Sequence, residues 1–234
     1  MLLHTIGVDS AGHTFGSTHP EIQRKLLETE DFIREMIERM DQETTLVIFG
    51  DHGMTLDGGH GGNTDLEMRT VLFSYQKEVF PLAPIYRKLQ GRMSDLDDSV
   101  KQADLAPIGA ALTRTPIPFS NTGILHPAFA PTTDLNGALD LMRDNIDQVH
   151  TYLKAFCGKT SAPWCAEELQ SFGSEVESMD STRSVSDQEI IRKMQWMNSF
   201  MNERYERLKK LWIEFDVFSI QVGVLLTFHL ILFH

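Results

Sequence analysis

Two cysteines in 234 residues, Cys157 and Cys165, are too few for a disulfide framework or a cysteine-rich zinc module, so neither device holds this chain together. They lie close in sequence across Gly158, Pro163 and Trp164, and both a local disulfide and two unrelated thiols fit that spacing. No Asn-x-Ser/Thr acceptor is present, so glycosylation gives no clue to compartment. Positive charge is also scarce, with 21 Lys and Arg against 33 Asp and Glu and a formal net charge of −12. Such a chain repels polyphosphate backbones, which argues against nucleic acid as a partner. The start, Met1 to Val8, has neither the basic n-region nor the small-residue cleavage site of a signal peptide. It reads as a buried strand, and the chain as one truncated at both ends. Internal repeats are absent.

What remains is ordinary globular composition, 41% hydrophobic and 23% charged, enough for one cored domain with or without an appendage. Leu2 to Val8 is short and apolar and runs into the turn-rich Asp9-Ser10-Ala11-Gly12. His19-Pro20-Glu21 opens a helix, with proline and an acid where a first turn favours them. Ile22, Leu26, Ile33, Ile37 and Met40 then mark one face for burial on a sheet. Thr44 to Phe49 is an unalternated apolar strand of the kind covered on both faces, and Thr70 to Tyr75 is another. This order predicts an α/β domain with a mainly parallel sheet flanked by helices, over residues 1–133.

The second half changes character. Val100 to Leu112 predicts a short helix before the Pro116/Pro118 break, and Leu135 to Phe156 and Val185 to Trp212 are helix-periodic. Residues 158–186 read as a surface connection. The expected division is a helical membrane-proximal region over 134–214 and a transmembrane segment over 215–233. In that last run only Asp216, Gln221 and His229 interrupt the apolar residues, and Lys209-Lys210 precede it. Its length is near what a hydrocarbon core requires, and it keeps no polar face of helical period.

Two stretches that follow predicted strands carry metal-ligating side chains. One is Asp9-x-x-x-His13; the other is Asp51-His52, followed by His60 inside Gly58-Gly59-His60-Gly61-Gly62. Loops leaving the C-terminal edges of parallel strands converge on one crevice, so two aspartates and three histidines are expected to meet there. Carboxylate and imidazole together suit zinc and related divalent ions. Two such ions side by side clamp a phosphoryl group. Taken alone, Asp9/His13 is more often a surface pair; Asp51-His52-Gly53 after a buried strand is the stronger signal, with a turn or capping role for Asp51 as the alternative, and the combination with His60 carries the reading. His4, His19, His126, His150, His229 and His234 are left without a role in chemistry, and His19 is expected to start its helix.

At these residues a resemblance is specific. GVDSAGHTFGSTHPEI, then LVIFGDHGMTLDGGHGGNTDLEMRTVLFSY, and further on DDSVKQADLAPIGAALTRTPIPFSNTGIL, resemble the catalytic domain of the GPI ethanolamine phosphate transferases, in the alkaline phosphatase superfamily. The match is strong over residues 2–125 and looser over 136–233, where NIDQVHTYLKAF resembles the branch acting on the third mannose. The resemblance implies an endoplasmic reticulum membrane enzyme with a lumenal catalytic region. It would move phosphoethanolamine from phosphatidylethanolamine to a mannose of the GPI precursor lipid. It implies two divalent metal ions, zinc by expectation: one held by Asp9, His13 and His60, the other by Asp51 and His52. It also implies a small membrane partner subunit. The family's Thr or Ser nucleophile and remaining aspartate ligand lie upstream of Asp9, so the chain is expected to be inactive alone. Two alternatives stay open: a phosphodiesterase or phosphatase of the same superfamily, and a non-catalytic membrane-tethered fragment.

Overall fold

The structure, a computed structural model, describes residues 2–77, 99–132, 134–160, 162–178 and 186–212. The chain forms two compact units, Met1–Ala83 and Pro84–His234.

The first unit contains α1 (Gly7–Phe15), α2 (Pro20–Arg39), β1 (Leu46–Phe49), α3 (Asp65–Met68) and β2 (Leu72–Tyr75). Here the expected parallel sheet is corrected. β1 and β2 pair antiparallel, with Leu46 opposite Tyr75 and Phe49 opposite Leu72, and among the described residues they make a two-stranded sheet. The physical reason lies in the connection. Residues 50–71 are numerous enough for a parallel crossover, but such a crossover is usually a helix that runs back along the sheet, and here most of the connection is turns. The helix between these strands, α3, has only 4 residues, so the chain folds back on itself.

The expected first strand is corrected as well. Residues 2–6 have no regular structure, and α1 begins at Gly7, its first turn closed by Ser10 N–H donating to the Ile6 carbonyl at 2.9 Å. A strand needs a neighbour to satisfy its backbone groups, whereas a helix satisfies them within itself. α2 starts as expected: Pro20 sits in the first turn and the His19 ring accepts a hydrogen bond from the Glu21 N–H at 3.2 Å. Its apolar face is only half-buried, and Leu26 is 52% exposed. Two short strands are too small a surface to cover a 20-residue helix.

The second unit is helical: α4 (Leu105–Thr113), α5 (Leu135–Cys157), α6 (Cys165–Ser178) and α7 (Asp187–Trp212), with short 3-10 turns at Gln102–Asp104 and Pro127–Phe129. Leu135, Ala138, Leu139, Met142, Ile146, Val149 and Leu153 recur every three or four residues along α5 and are all buried. They meet Phe172 of α6 and a stripe on α7 that includes Met194, Met197 and Met201, forming one core. α5 begins at Asp134, whose carboxylate accepts from the N–H groups of Asn136 and Gly137. Asn145, fully buried on α5, accepts from Leu125 N–H at 2.8 Å and donates to the Gly123 carbonyl at 3.1 Å, which ties the 123–125 segment to the helix.

α6 lies in the stretch expected as a surface connection, which is a further correction. Glycine and serine obscured its apolar positions, but Glu167 and Glu168 in the first turn and buried Phe172 belong to a helix. Two covalent or charged links fix it. Cys157 and Cys165 form a disulfide between the end of α5 and the start of α6, settling the question their spacing left open. Arg204 of α7 and Glu168 of α6, with side chains 3% and 0% exposed, form an ion pair at 2.9 Å, and Arg204 also reaches Ser171 and Glu175.

Among the described residues no helix is long and apolar enough to cross a membrane. Residues 215–233, expected as a transmembrane segment, lie outside the described residues.

Candidate metal centre

The first unit brings Asp9, His13, His52 and His60 into one cluster by three local devices. The first is helical spacing. Asp9 and His13 were expected in a loop, but they lie on α1 four residues apart, so both side chains project from one face. Asp9 Oδ1 lies 3.5 Å from His13 Nε2.

The second device is a tight turn that carries His60 onto α1. Thr55 and Gly59 exchange backbone contact, Thr55 N–H donating to the Gly59 carbonyl at 2.9 Å, while Gly59 N–H donates to the Thr55 hydroxyl at 2.8 Å. That hydroxyl donates in turn to Asp57 Oδ1 at 2.6 Å, which holds the Asp57 carboxyl below its ordinary range. Gly58 has φ +89°, and a Cβ there would stand 2.1 Å from the Gly12 carbonyl oxygen. Only glycine lets the turn approach the helix this closely. His60 Nε2 consequently lies 3.0 Å from His13 Nε2 and 3.5 Å from Asp9 Oδ1.

The third device is β1, which ends just before Asp51 and His52. The His52 ring stacks on His60 with centroids 3.8 Å apart. His52 Nδ1 is 2.8 Å from the Gly53 carbonyl, so that nitrogen carries the proton and Nε2 keeps its lone pair. Asp51 Oδ2 lies 3.6 Å from that Nε2, and Asp51 Oδ1 accepts from the His52 backbone N–H. Donor atoms of Asp9, His52 and His60 lie within 4.8 Å of one another.

These distances have a chemical meaning. Zinc bonds of about 2.0–2.1 Å at tetrahedral angles place ligand atoms roughly 3.3 Å apart. The three atoms Asp9 Oδ1, His13 Nε2 and His60 Nε2 are separated by 3.5, 3.5 and 3.0 Å, one triangular face of such a polyhedron. Asp9 Oδ1 is buried and has no hydrogen-bond partner. A buried carboxylate oxygen without a donor is costly, and a cation at the centre of the triangle would relieve it. The donor set therefore fits a divalent ion.

Sequence reasoning missed the supports of this site. Thr55 was not singled out, and neither was Glu67, whose carboxylate accepts from Gly62 N–H at 2.8 Å and from the Thr64 hydroxyl at 2.6 Å. The Thr64 bond is the main reason its pKa is depressed. Thr64-x-x-Glu67 has the pattern of a capping box and was legible as one. The other histidines are placed elsewhere. His126 accepts from Ala128 N–H at a 3-10 turn, and His150 packs on Phe172 with centroids 4.9 Å apart. His229 and His234 lie outside the described residues.

Comparison with known proteins follows the same lines. Residues 1–108 match the family described as type I phosphodiesterase / nucleotide pyrophosphatase. The catalytic subunit of GPI ethanolamine phosphate transferase 3 from Mus musculus is 33% identical over 68% of this chain, and that from Homo sapiens 39% identical over 53%. GPI ethanolamine phosphate transferase 3 from Saccharomyces cerevisiae is 28% identical over 97%. The chain is a homologue of the GPI ethanolamine phosphate transferases. It spans only 15%, 11% and 21% of the lengths of these three relatives. No solved structure matches the chain.

Proposed function

We propose that this chain supplies metal-holding residues of a two-metal phosphoryl-transfer centre, within a protein that moves phosphoethanolamine from phosphatidylethanolamine to a mannose, the third, of the GPI precursor lipid. The observation that carries the proposal is the Asp9, His13 and His60 triangle around a buried, unpartnered carboxylate oxygen. The names of the relatives support the substrate class.

In this reading Asp9, His13 and His60 hold one zinc ion, and Asp51 and His52 help to hold a second. Bound there, the ions would offset charge on the phosphoryl oxygens and on the attacking and leaving oxygens. The chain's own residues orient that chemistry. The Gly53 carbonyl fixes the His52 tautomer through Nδ1, so the basic Nε2 faces the site. The turn at Thr55 to Gly59 sets how far His60 stands from α1. Side chains of Asp9, His13 and His60 are 35%, 47% and 31% exposed, which leaves the site open to a headgroup from solvent. We assign no residue here as nucleophile.

The compartment follows from chemistry. The Cys157–Cys165 disulfide belongs to an oxidising environment, which supports a lumenal position at the endoplasmic reticulum membrane. Partnership with a small membrane subunit and anchoring by residues 215–233 belong to the same proposal. A second reading, hydrolysis of a phosphodiester with water as acceptor, is favoured by the family that residues 1–108 match.

Two measurements test the proposal. Calorimetric titration of the chain with zinc should show binding that His60→Ala weakens by roughly 10–100-fold or more, the scale of disturbing a metal's support. In the longer protein, His52→Ala should abolish rescue of GPI-anchored surface protein in deficient cells at normal abundance. Full rescue by that variant rejects the ligand role, and release of free phosphoethanolamine without transfer selects the hydrolytic reading.

A further inference from the structure

The second unit carries a row of aromatic rings that the metal chemistry does not use. Phe119 meets Tyr152 edge to face at 5.6 Å, Tyr152 meets Phe156 at 6.2 Å, and Phe156 stacks on Trp164 at 5.8 Å. Tyr152 and Phe156 are four residues apart on α5, so they share a face. Phe119 is 55% exposed, and the other three rings are half-buried.

The row is held in place. Gln148, one turn before Tyr152, donates its side-chain amide to the carbonyls of Phe119 at 2.8 Å and Asn121 at 2.9 Å. The Pro116–Asn121 loop is thereby tied to α5 and Phe119 is set on Tyr152. At the other end the Cys157–Cys165 disulfide closes the turn that presents Trp164. A large apolar ring at 55% exposure, fixed from both sides, is not explained by the core of this unit.

Charge separates this face from the rest of the chain. Its residues come from two stretches, one between Asp104 and Asp134 and one between Asp147 and Glu167, and neither contains an acid. In a chain of net charge −12 these stretches carry only basic groups, Arg114, Lys154 and Lys159. Lys159 is exposed in the turn between Phe156 and Trp164.

We infer that this face docks on a phospholipid bilayer, its rings at headgroup level and Lys159 toward lipid phosphates. Aromatic rings with one apolar side prefer that depth, and a cation beside them gains from anionic headgroups. A glycan would also stack on rings, but it needs hydrogen-bonding carboxylates and amides beside them. Here acids are absent from both stretches, and the Gln148 amide is committed to backbone carbonyls. The inference does not rest on the transferase reading.

The test uses the full chain in nanodiscs with three parts phosphatidylcholine to one part phosphatidylserine. Phe119→Trp, combined with Trp164→Phe, Trp196→Phe and Trp212→Phe, leaves a single reporter on the face. Its fluorescence should be quenched by lipid brominated near the headgroup and shielded from aqueous iodide. Lys159→Gln should weaken the phosphatidylserine-dependent part about fivefold, the effect of one charge at such a surface. Iodide quenching without lipid quenching overturns the inference. So does iodide protection by a soluble mannose oligosaccharide alone, which would mark a glycan platform. As a check that needs no substitution, amides 115–121 of the unaltered chain should exchange more slowly in phosphatidylserine nanodiscs than in pure phosphatidylcholine. Equal exchange rejects the charge argument.

Discussion

The two units solve opposite problems. In the first, only Ala11, Gly12 and Gly58 are buried among the described residues, and they lie where the His60 turn meets α1. Burial there serves the site. Phe49, Val71 and Phe73 stay exposed at 42%, 72% and 49%. In the second unit, α5, α6 and α7 close over a continuous core with a buried ion pair and a disulfide, and no metal-type cluster is found among its described residues. A site can therefore be assembled by local geometry with little core beneath it, whereas the helical unit draws its order from long-range packing. The first unit should consequently respond to ligand and the second to core mutations and pH.

The largest expected effect breaks the second unit. Arg204→Ala takes from Glu168, 0% exposed, the buried one of its two guanidinium partners and leaves only the more exposed Arg207. The loss should be about 3 kcal/mol in urea unfolding, the low end for breaking a buried pair, because Arg207 still offsets part of the buried charge. Replacing both members, Glu168→Leu with Arg204→Met, should recover most of it. If the single variant costs no more than a surface substitution, the pair does not hold α6 to α7. Exchange in α1 should be unaffected in either case.

A smaller effect should appear only in the first unit. Zinc at about a hundredfold above its dissociation constant should stabilise the ion-binding form by about 2.7 kcal/mol. Hydrogen exchange should then slow in α1 and in residues 52–60 and stay unchanged in α5 and α7. Uniform slowing, or none, would remove the contrast between the units.

The smallest effect concerns His150. Burial against Phe172 holds its pKa below the ordinary 6.5, with nearby Lys154 adding to the shift, and its Nε2 has no hydrogen-bond partner. Between the folded and unfolded pKa values the unfolded chain binds the extra proton. Stability of the second unit should therefore be full above 6.5 and decline as pH falls below it. His150→Phe keeps the ring stack and should flatten that decline; an unchanged profile would place the titration elsewhere.

Much of this was legible beforehand where the determining physics is local. The helices at Pro20, Leu135 and Asp187 follow from apolar spacing and capping residues, and the His19 cap from the proline after it. The site residues were legible because Asp51-His52 at a strand end and His60 among glycines have poor packing explanations. The direction of β1–β2 pairing was not, because it depends on whether the intervening connection forms a crossover helix or, as here, turns and a 4-residue helix. α6 was hidden because its helical order depends on Phe172 finding a core and Glu168 finding Arg204.

By itself, then, the sequence determined which donor atoms were available, where the long helices run, and that the chain is acidic. Only the tertiary structure decided that Asp9 and His13 share a helix face, that Gly58 against Gly12 brings His60 to them, and that Cys157 pairs with Cys165. The physical reason is that spacing along a chain specifies a helix face, whereas an approach of 3.0 Å between residues 47 apart depends on how two backbones pack in space.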